Sequence, residues 1–198
     1  MASTLKLVCI GDSLTEGYGI EEANRWSTLL ESDFNIEIIN SGISGDTTGG
    51  MLARFQHMVI NHQPTHVIIM GGTNDIWMNI APEQILANLL AMTRHARHHN
   101  IVPIIGIPTP CYGEEMSAAN SFFLDQQAMV HKISDFQTKL KQLIQEDERL
   151  FIDFSENMPA SLFLEDRVHP NTEGHICMYK NAKQNLETFF AQYQATNI

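Results

Sequence analysis

Short apolar runs recur along the chain at Leu5 to Ile10, Ile36 to Ile39, His66 to Met70, Ile101 to Gly106 and Leu150 to Asp153. Each has the length of a strand and is too short for a helix. Between them the apolar positions change period. Leu52, Phe55, Met58 and Val59 recur at helical spacing within Gly50 to Ile60, as do Ile85, Leu86, Leu89 and Thr93 within Pro82 to His99. Met129, Ile133, Phe136, Leu140, Leu143 and Ile144 mark one face of a segment from about Asp125 to Gln145. Trp26 to Ser32 forms a shorter candidate helix, and a last helix begins near Asn171. Strands separated by helices predict a parallel sheet, because each return to the sheet needs a crossover and the crossovers cover both faces. The expected fold class is therefore α/β, a three-layer sandwich. In such sheets ligands sit beyond the carboxyl ends of the strands, near the point where strand order reverses. The loops after the first three strands are the places to look for chemistry.

Composition narrows the reading. With 198 residues, 43% of them apolar, residues 1–198 are expected to form one domain with a sizeable core. A net charge of -11 opposes nucleic acid and anionic membrane surfaces, and no basic stripe offsets it. Met1 to Ile10 lacks the charged region and cleavage site of a secretory leader, and no stretch approaches the roughly 20 apolar residues of a membrane span. A cytoplasmic location without stable membrane insertion is the expectation. Cys9, Cys111 and Cys177 are widely spaced and read as reduced thiols.

Four segments carry candidate chemistry. Gly11-Asp12-Ser13-Leu14-Thr15-Glu16-Gly17 puts a serine in a turn between glycines, where its hydroxyl can project; a helix cap is the alternative. A phosphate cradle would need a terminal Lys-Ser/Thr pair, which is absent. The glycines of Asn40 to Gly50 permit close backbone approach to a ligand, or serve only the turn. In Gly71-Gly72-Thr73-Asn74-Asp75 the Asn74 amide can donate to a developing oxyanion, or close an Asx-turn. Asp166-Arg167-Val168-His169-Pro170 spaces a carboxylate and an imidazole so that one can hold the other toward a nucleophile.

In this order the four segments resemble the blocks of the SGNH (GDSL) hydrolase family, including its thioesterase I/lysophospholipase L1 branch, and the resemblance runs over the whole chain. It implies a flavodoxin-like α/β/α sandwich with a five-stranded parallel sheet. It also implies a carboxylester hydrolase of the GDSL esterase/lipase type. By the same resemblance Ser13 is the nucleophile, His169 the general base and Asp166 its orienter. The oxyanion donors are the Ser13 N–H, Gly45 and Asn74, with Gly42 a near competitor of Gly45. No cofactor and no metal are implied, the partner is a small acyl ester, and the oligomeric state is left open. Short- to medium-chain carboxylic esters are the leading substrates, with thioesters and lysophospholipids inside the family's range. A carbohydrate O-acetylesterase is the rival enzyme, and a non-catalytic ligand-binding module the rival from another class.

Other residues receive plainer roles. Asp12 and Asp75 are expected to hold the turns by accepting backbone hydrogen bonds. His95, His98 and His99 are expected to complement a helix terminus, and His175 to be a helix residue without a catalytic part. Trp77, with Met78, is a candidate substrate contact or a core residue. The aperiodic stretch from Pro108 to Phe123 is a candidate pocket wall, on which Glu114 and Glu115 would disfavour an anionic substrate group.

Overall fold

The computed structural model describes residues 5–112, 126–147 and 149–196. Five strands, β1 (Lys6–Gly11), β2 (Glu37–Gly42), β3 (His66–Met70), β4 (Val102–Ile107) and β5 (Phe151–Asp153), pair in the order β2-β1-β3-β4-β5. Every pairing is parallel. The helices are α1 (Ser13–Glu16), α2 (Trp26–Phe34), α3 (Thr48–Met58), α4 (Thr73–Trp77), α5 (Pro82–His98), α6 (Gln126–Glu146) and α7 (Thr172–Thr196). Each predicted strand and helix is present, its ends displaced by a few residues. Asp125, expected to open α6, lies outside the described residues, as does most of the expected pocket wall beyond Tyr112.

Two differences from the predicted elements shape the ends of the strands. β2 runs on through Asn40, Ser41 and Gly42, which pair with Cys9, Ile10 and Gly11, so residues that read as a polar loop are the last rungs of the sheet. The segments of α1 and α4 read as turns in the sequence but are helical. Four or five residues are too few to show a hydrophobic period, so nothing in the pattern distinguishes such a helix from a turn.

Alternation along the strands divides the core between the two faces. Val8, Ile10, Val67 and Ile69 point to one side and pack with Phe55 of α3, Leu89 of α5 and Phe136 of α6. Leu7, Cys9, Ile68 and Met70 point to the other and pack with Trp26 and Leu30 of α2 and Met178 and Leu186 of α7. β3 is buried along its whole length, as a central strand covered on both faces must be. The result is the three-layer α/β/α sandwich. No helix among the described residues is long and apolar enough to cross a membrane.

Register and topology place the loops. Gly11, the last residue of β1, lies opposite Gly42 of β2 and Met70 of β3. The carboxyl ends of the first three strands therefore finish side by side, and the chain leaves β1 for one edge and later returns to its other flank at β3. That reversal is where an open α/β sheet forms a crevice.

Candidate active site

Asp12 links β1 to α1 and caps it. Its Oδ1 accepts the Leu14 N–H at 2.9 Å, and its carbonyl receives the N–H groups of Thr15 and Glu16 at 3.1 and 2.9 Å. Ser13 is thus the first helical residue, whose N–H has no intrahelical acceptor, and its side chain is largely buried. The Trp26 indole, fully buried at the start of α2, donates to the Leu14 carbonyl at 3.0 Å and anchors the short helix.

His169 arrives from the opposite end of the chain on a tightly closed loop. The Leu164 N–H donates to the His169 carbonyl at 2.8 Å, and Arg167 takes a left-handed φ of 58° between them. Asp166 Oδ1 accepts the N–H groups of Val168 and His169, both at 2.9 Å, leaving Oδ2 at 2.7 Å from His169 Nδ1. His169 Nε2 stands 2.9 Å from Ser13 Oγ. An ionised carboxylate only accepts, so Nδ1 carries the hydrogen and Nε2 is left as the acceptor for the serine hydroxyl. Burial pushes the Asp166 carboxyl up, but the imidazole N–H and the two backbone N–H groups outweigh it and bring it down to about 2. The Tyr18 ring contacts the imidazole, its centroid 4.5 Å from that of His169 and tilted by 38°.

The loop after β2 comes next. Gly42 has no room for a side chain, since a Cβ there would lie 2.1 Å from the Glu16 backbone nitrogen; β2 ends pressed against α1. Glu16 accepts the Ser44 N–H at 2.6 Å and the Ser44 hydroxyl. From Gly42 to Thr48, the N–H groups of Gly42, Ile43, Ser44, Asp46, Thr47 and Thr48 all find acceptors. Gly45 has none among the described residues. It sits at φ 80°, a left-handed conformation that favours glycine, in a turn closed by Asp46 N–H to the Ile43 carbonyl at 3.1 Å.

Asn74 lies in the first turn of α4, and its amide donates to the Asp46 carbonyl at 2.9 Å, with Asp12 Oδ2 further off at 3.4 Å. The neighbouring Asp75 is fully buried and takes the Thr48 N–H at 2.9 Å and its hydroxyl at 2.6 Å. Asp12 is also fully buried, and burial raises its carboxyl to about 7, aided by Asp75 and opposed by the Leu14 N–H and His169. Both acidic residues therefore hold loops, as their positions suggested.

Of the residues singled out from the sequence, Ser13, His169 and Asp166 form one hydrogen-bonded chain, while the Asn74 amide reaches Asp46, the residue after Gly45, and approaches Asp12, the residue before Ser13. Trp77 is half-buried against the core on the α3, α5 and α6 side, whereas Met78 beside it is 61% exposed. His175 is buried in α7, where Nδ1 accepts the Trp26 N–H at 3.2 Å. At the end of α5 the His99 ring contacts those of His95 and His98. Three contributors were not foreseen: Tyr18, Ile43 and Arg54. Tyr18 and Ile43 are exposed apolar residues beside the glycines of the first two loops, and Arg54 is a partly buried cation on α3 between exposed Ala53 and buried Phe55. Neither feature has a periodic signature.

A family model described as the GDSL-like lipase/acylhydrolase family matches residues 9–176. The esterase TesA of Pseudomonas aeruginosa is 32% identical over 115 residues, 55% of this chain, which spans 57% of that relative's length. An acetylxylan esterase from Geobacillus stearothermophilus is 29% identical over 207 residues, covering 87% of this chain and 90% of that one. The solved structure of a GDSL-like lipase from Bacteroides thetaiotaomicron superposes with a TM-score of 0.75 and 25% identity, covering 92% of this chain and 88% of that one. Matched by the family model from β1 into the start of α7, the chain belongs to the GDSL-like lipase/acylhydrolase family.

Proposed function

We propose that the chain is a serine carboxylester hydrolase with Ser13 as nucleophile, His169 as general base and Asp166 as the group that orients it. The observation that carries this reading is the continuous chain from Ser13 Oγ to His169 Nε2 at 2.9 Å and from His169 Nδ1 to Asp166 Oδ2 at 2.7 Å. His169 Nε2 takes the hydroxyl proton as Oγ bonds to the ester carbonyl carbon, and the carbonyl π electrons move onto oxygen. Asp166, ionised far below neutrality, stabilises the imidazolium that forms. The oxyanion collapses, the carbon–oxygen bond to the alcohol breaks, and the leaving oxygen takes the proton from Nε2. Water, deprotonated by the same nitrogen, then cleaves the acyl-serine.

The oxyanion donors in this reading are the N–H groups of Ser13 and Gly45 and the Asn74 amide. Gly45 is preferred to Gly42 because the Gly42 N–H already donates to Asn40 Oδ1 at 3.0 Å, while Gly45 has no acceptor among the described residues.

Short- to medium-chain acyl esters are the proposed substrates. Tyr18, Ile43 and Met78 are 52%, 45% and 61% exposed; Tyr18 and Met78 lie just beyond the helices that begin with Ser13 and hold Asn74, and Ile43 lies two residues before Gly45. They offer apolar contacts to both arms of an ester, and Trp77 remains a candidate contact beside Met78. A carbohydrate O-acetylesterase is the second reading, favoured by the acetylxylan esterase that matches most of both chains. Rates on p-nitrophenyl acetate, butyrate and octanoate, and on acetylated xylose, separate the two. Turnover of butyrate and octanoate at rates comparable to acetate supports the first reading, and turnover confined to acetyl groups on sugar supports the second. Loss of all turnover in Ser13→Ala is expected under either, and a folded Ser13→Ala protein that keeps its activity would overturn both.

A further inference from the structure

We propose that Arg54 is a positioning residue for the oxyanion site, acting through the loop that carries Gly45 and Asp46; the inference rests on the proposed oxyanion role of Asn74. Arg54 lies on α3, and its side chain is 16% exposed. Its guanidinium donates in three directions: from Nε to Asp46 Oδ2 at 2.7 Å, from Nη1 to the Ser41 carbonyl at 2.7 Å and from Nη2 to the Gly11 carbonyl at 2.8 Å. Each acceptor belongs to a different part of the site. The Gly11 carbonyl directly precedes Asp12 and Ser13, the Ser41 carbonyl lies at the end of β2, and Asp46 follows Gly45. The Asp46 carbonyl in turn accepts the Asn74 amide at 2.9 Å. One rigid fork thus sets the spacing between the nucleophile's strand, the Gly45 turn and the Asn74 side chain. A lysine at this position keeps the charge but is a point donor on a flexible stem and cannot hold three acceptors in one plane.

A role confined to fold stability would lower the melting temperature and leave the folded enzyme's turnover intact. A positioning role lowers kcat, because donors displaced by about 1 Å lose up to about 100-fold in rate, while ground-state binding changes little. The test measures kcat and KM on p-nitrophenyl butyrate for the wild type, Arg54→Lys, Asn74→Ala and the double variant, well below their melting temperatures. Arg54→Lys is expected to lose about 10- to 100-fold in kcat with KM within about threefold. The double variant is expected to fall little below Asn74→Ala alone, since without the amide there is less left to position. Unchanged kcat in Arg54→Lys, or losses that multiply in the double variant, would overturn the inference while leaving the oxyanion assignment standing. If Asn74→Ala itself keeps full kcat, the oxyanion assignment fails first and the inference with it. Asp46→Asn, which keeps the Asp46 carbonyl and weakens the Arg54 contact, carries the same cycle if Arg54→Lys does not fold.

Discussion

At the scale of single residues, Asn74 and Asp166 separate two kinds of contribution. In the proposed mechanism the Asn74 amide donates to the oxyanion as charge develops, so Asn74→Ala is expected to reduce kcat by on the order of 10²- to 10³-fold with a small effect on KM. A comparable rise in KM, with kcat preserved, would make Asn74 a binding group instead. In the same mechanism Asp166 acts through His169, whose loop is also held by backbone bonds, including Leu164 N–H to the His169 carbonyl. Asp166→Ala should therefore cost less than Ser13→Ala or His169→Ala, and equal losses in all three would contradict the ordering. Asp166, held to about 2, is ionised at neutral pH and can keep the Nδ1 hydrogen toward itself, which leaves Nε2 to accept the serine proton in the proposed mechanism. His169→Ala is therefore expected to lose turnover under all conditions in which it stays folded, and a folded variant that keeps its activity would remove His169 as the base.

At the scale of elements, α7 is docked at both ends by buried histidines. His175 near its start accepts the Trp26 N–H, and His66 at the start of β3 packs edge-on against Phe190 and Tyr193 near its end. Burial lowers both rings from 6.5 to about 4, with Arg25 and His169 adding to the shift at His175. Each is favoured neutral in the folded chain, so its contribution is complete above pH 6.5 and is lost as pH falls toward 4, up to roughly 3 kcal/mol apiece. The melting temperature of His66→Leu, followed from pH 7 to 4, should fall less steeply than that of the wild type. Parallel curves would show that His66 does not titrate as described. These pairings illustrate what the apolar pattern can and cannot reveal. It locates the strands and long helices, because each buries a continuous stripe. It is silent on which helix end meets which strand, since His66, placed at the start of its apolar run, carries no mark of the α7 residues it packs against.

At the scale of the whole molecule, the sheet does most of the assembly. Residues as distant in sequence as Ser13 and His169 meet because parallel strands deliver every carboxyl-end loop to one edge, and the alternation of strands with helices announces that arrangement. Ser13, Asn74, Asp166 and His169 could be singled out as candidates because each sits in a short segment of distinctive composition, and the structure joins three of them, Ser13, His169 and Asp166, by hydrogen bonds. Arg54 and Tyr18 could not be, since their contacts form only on folding, when α3 packs against the ends of β1 and β2 and the His169 loop closes over Tyr18. Asp12 and Asp75 were legible as loop-holding residues, though not the depth of their burial, which depends on the layers above them. The central claim is that this convergence activates one serine. Labelling with a fluorophosphonate, with intact mass and peptide mapping of the product, tests it most directly, because only an activated hydroxyl reacts quickly. One adduct per chain is expected, mapped to Ser13, absent from Ser13→Ala and strongly slowed in His169→Ala. Labelling at another residue, or none in a folded wild-type protein, would contradict it.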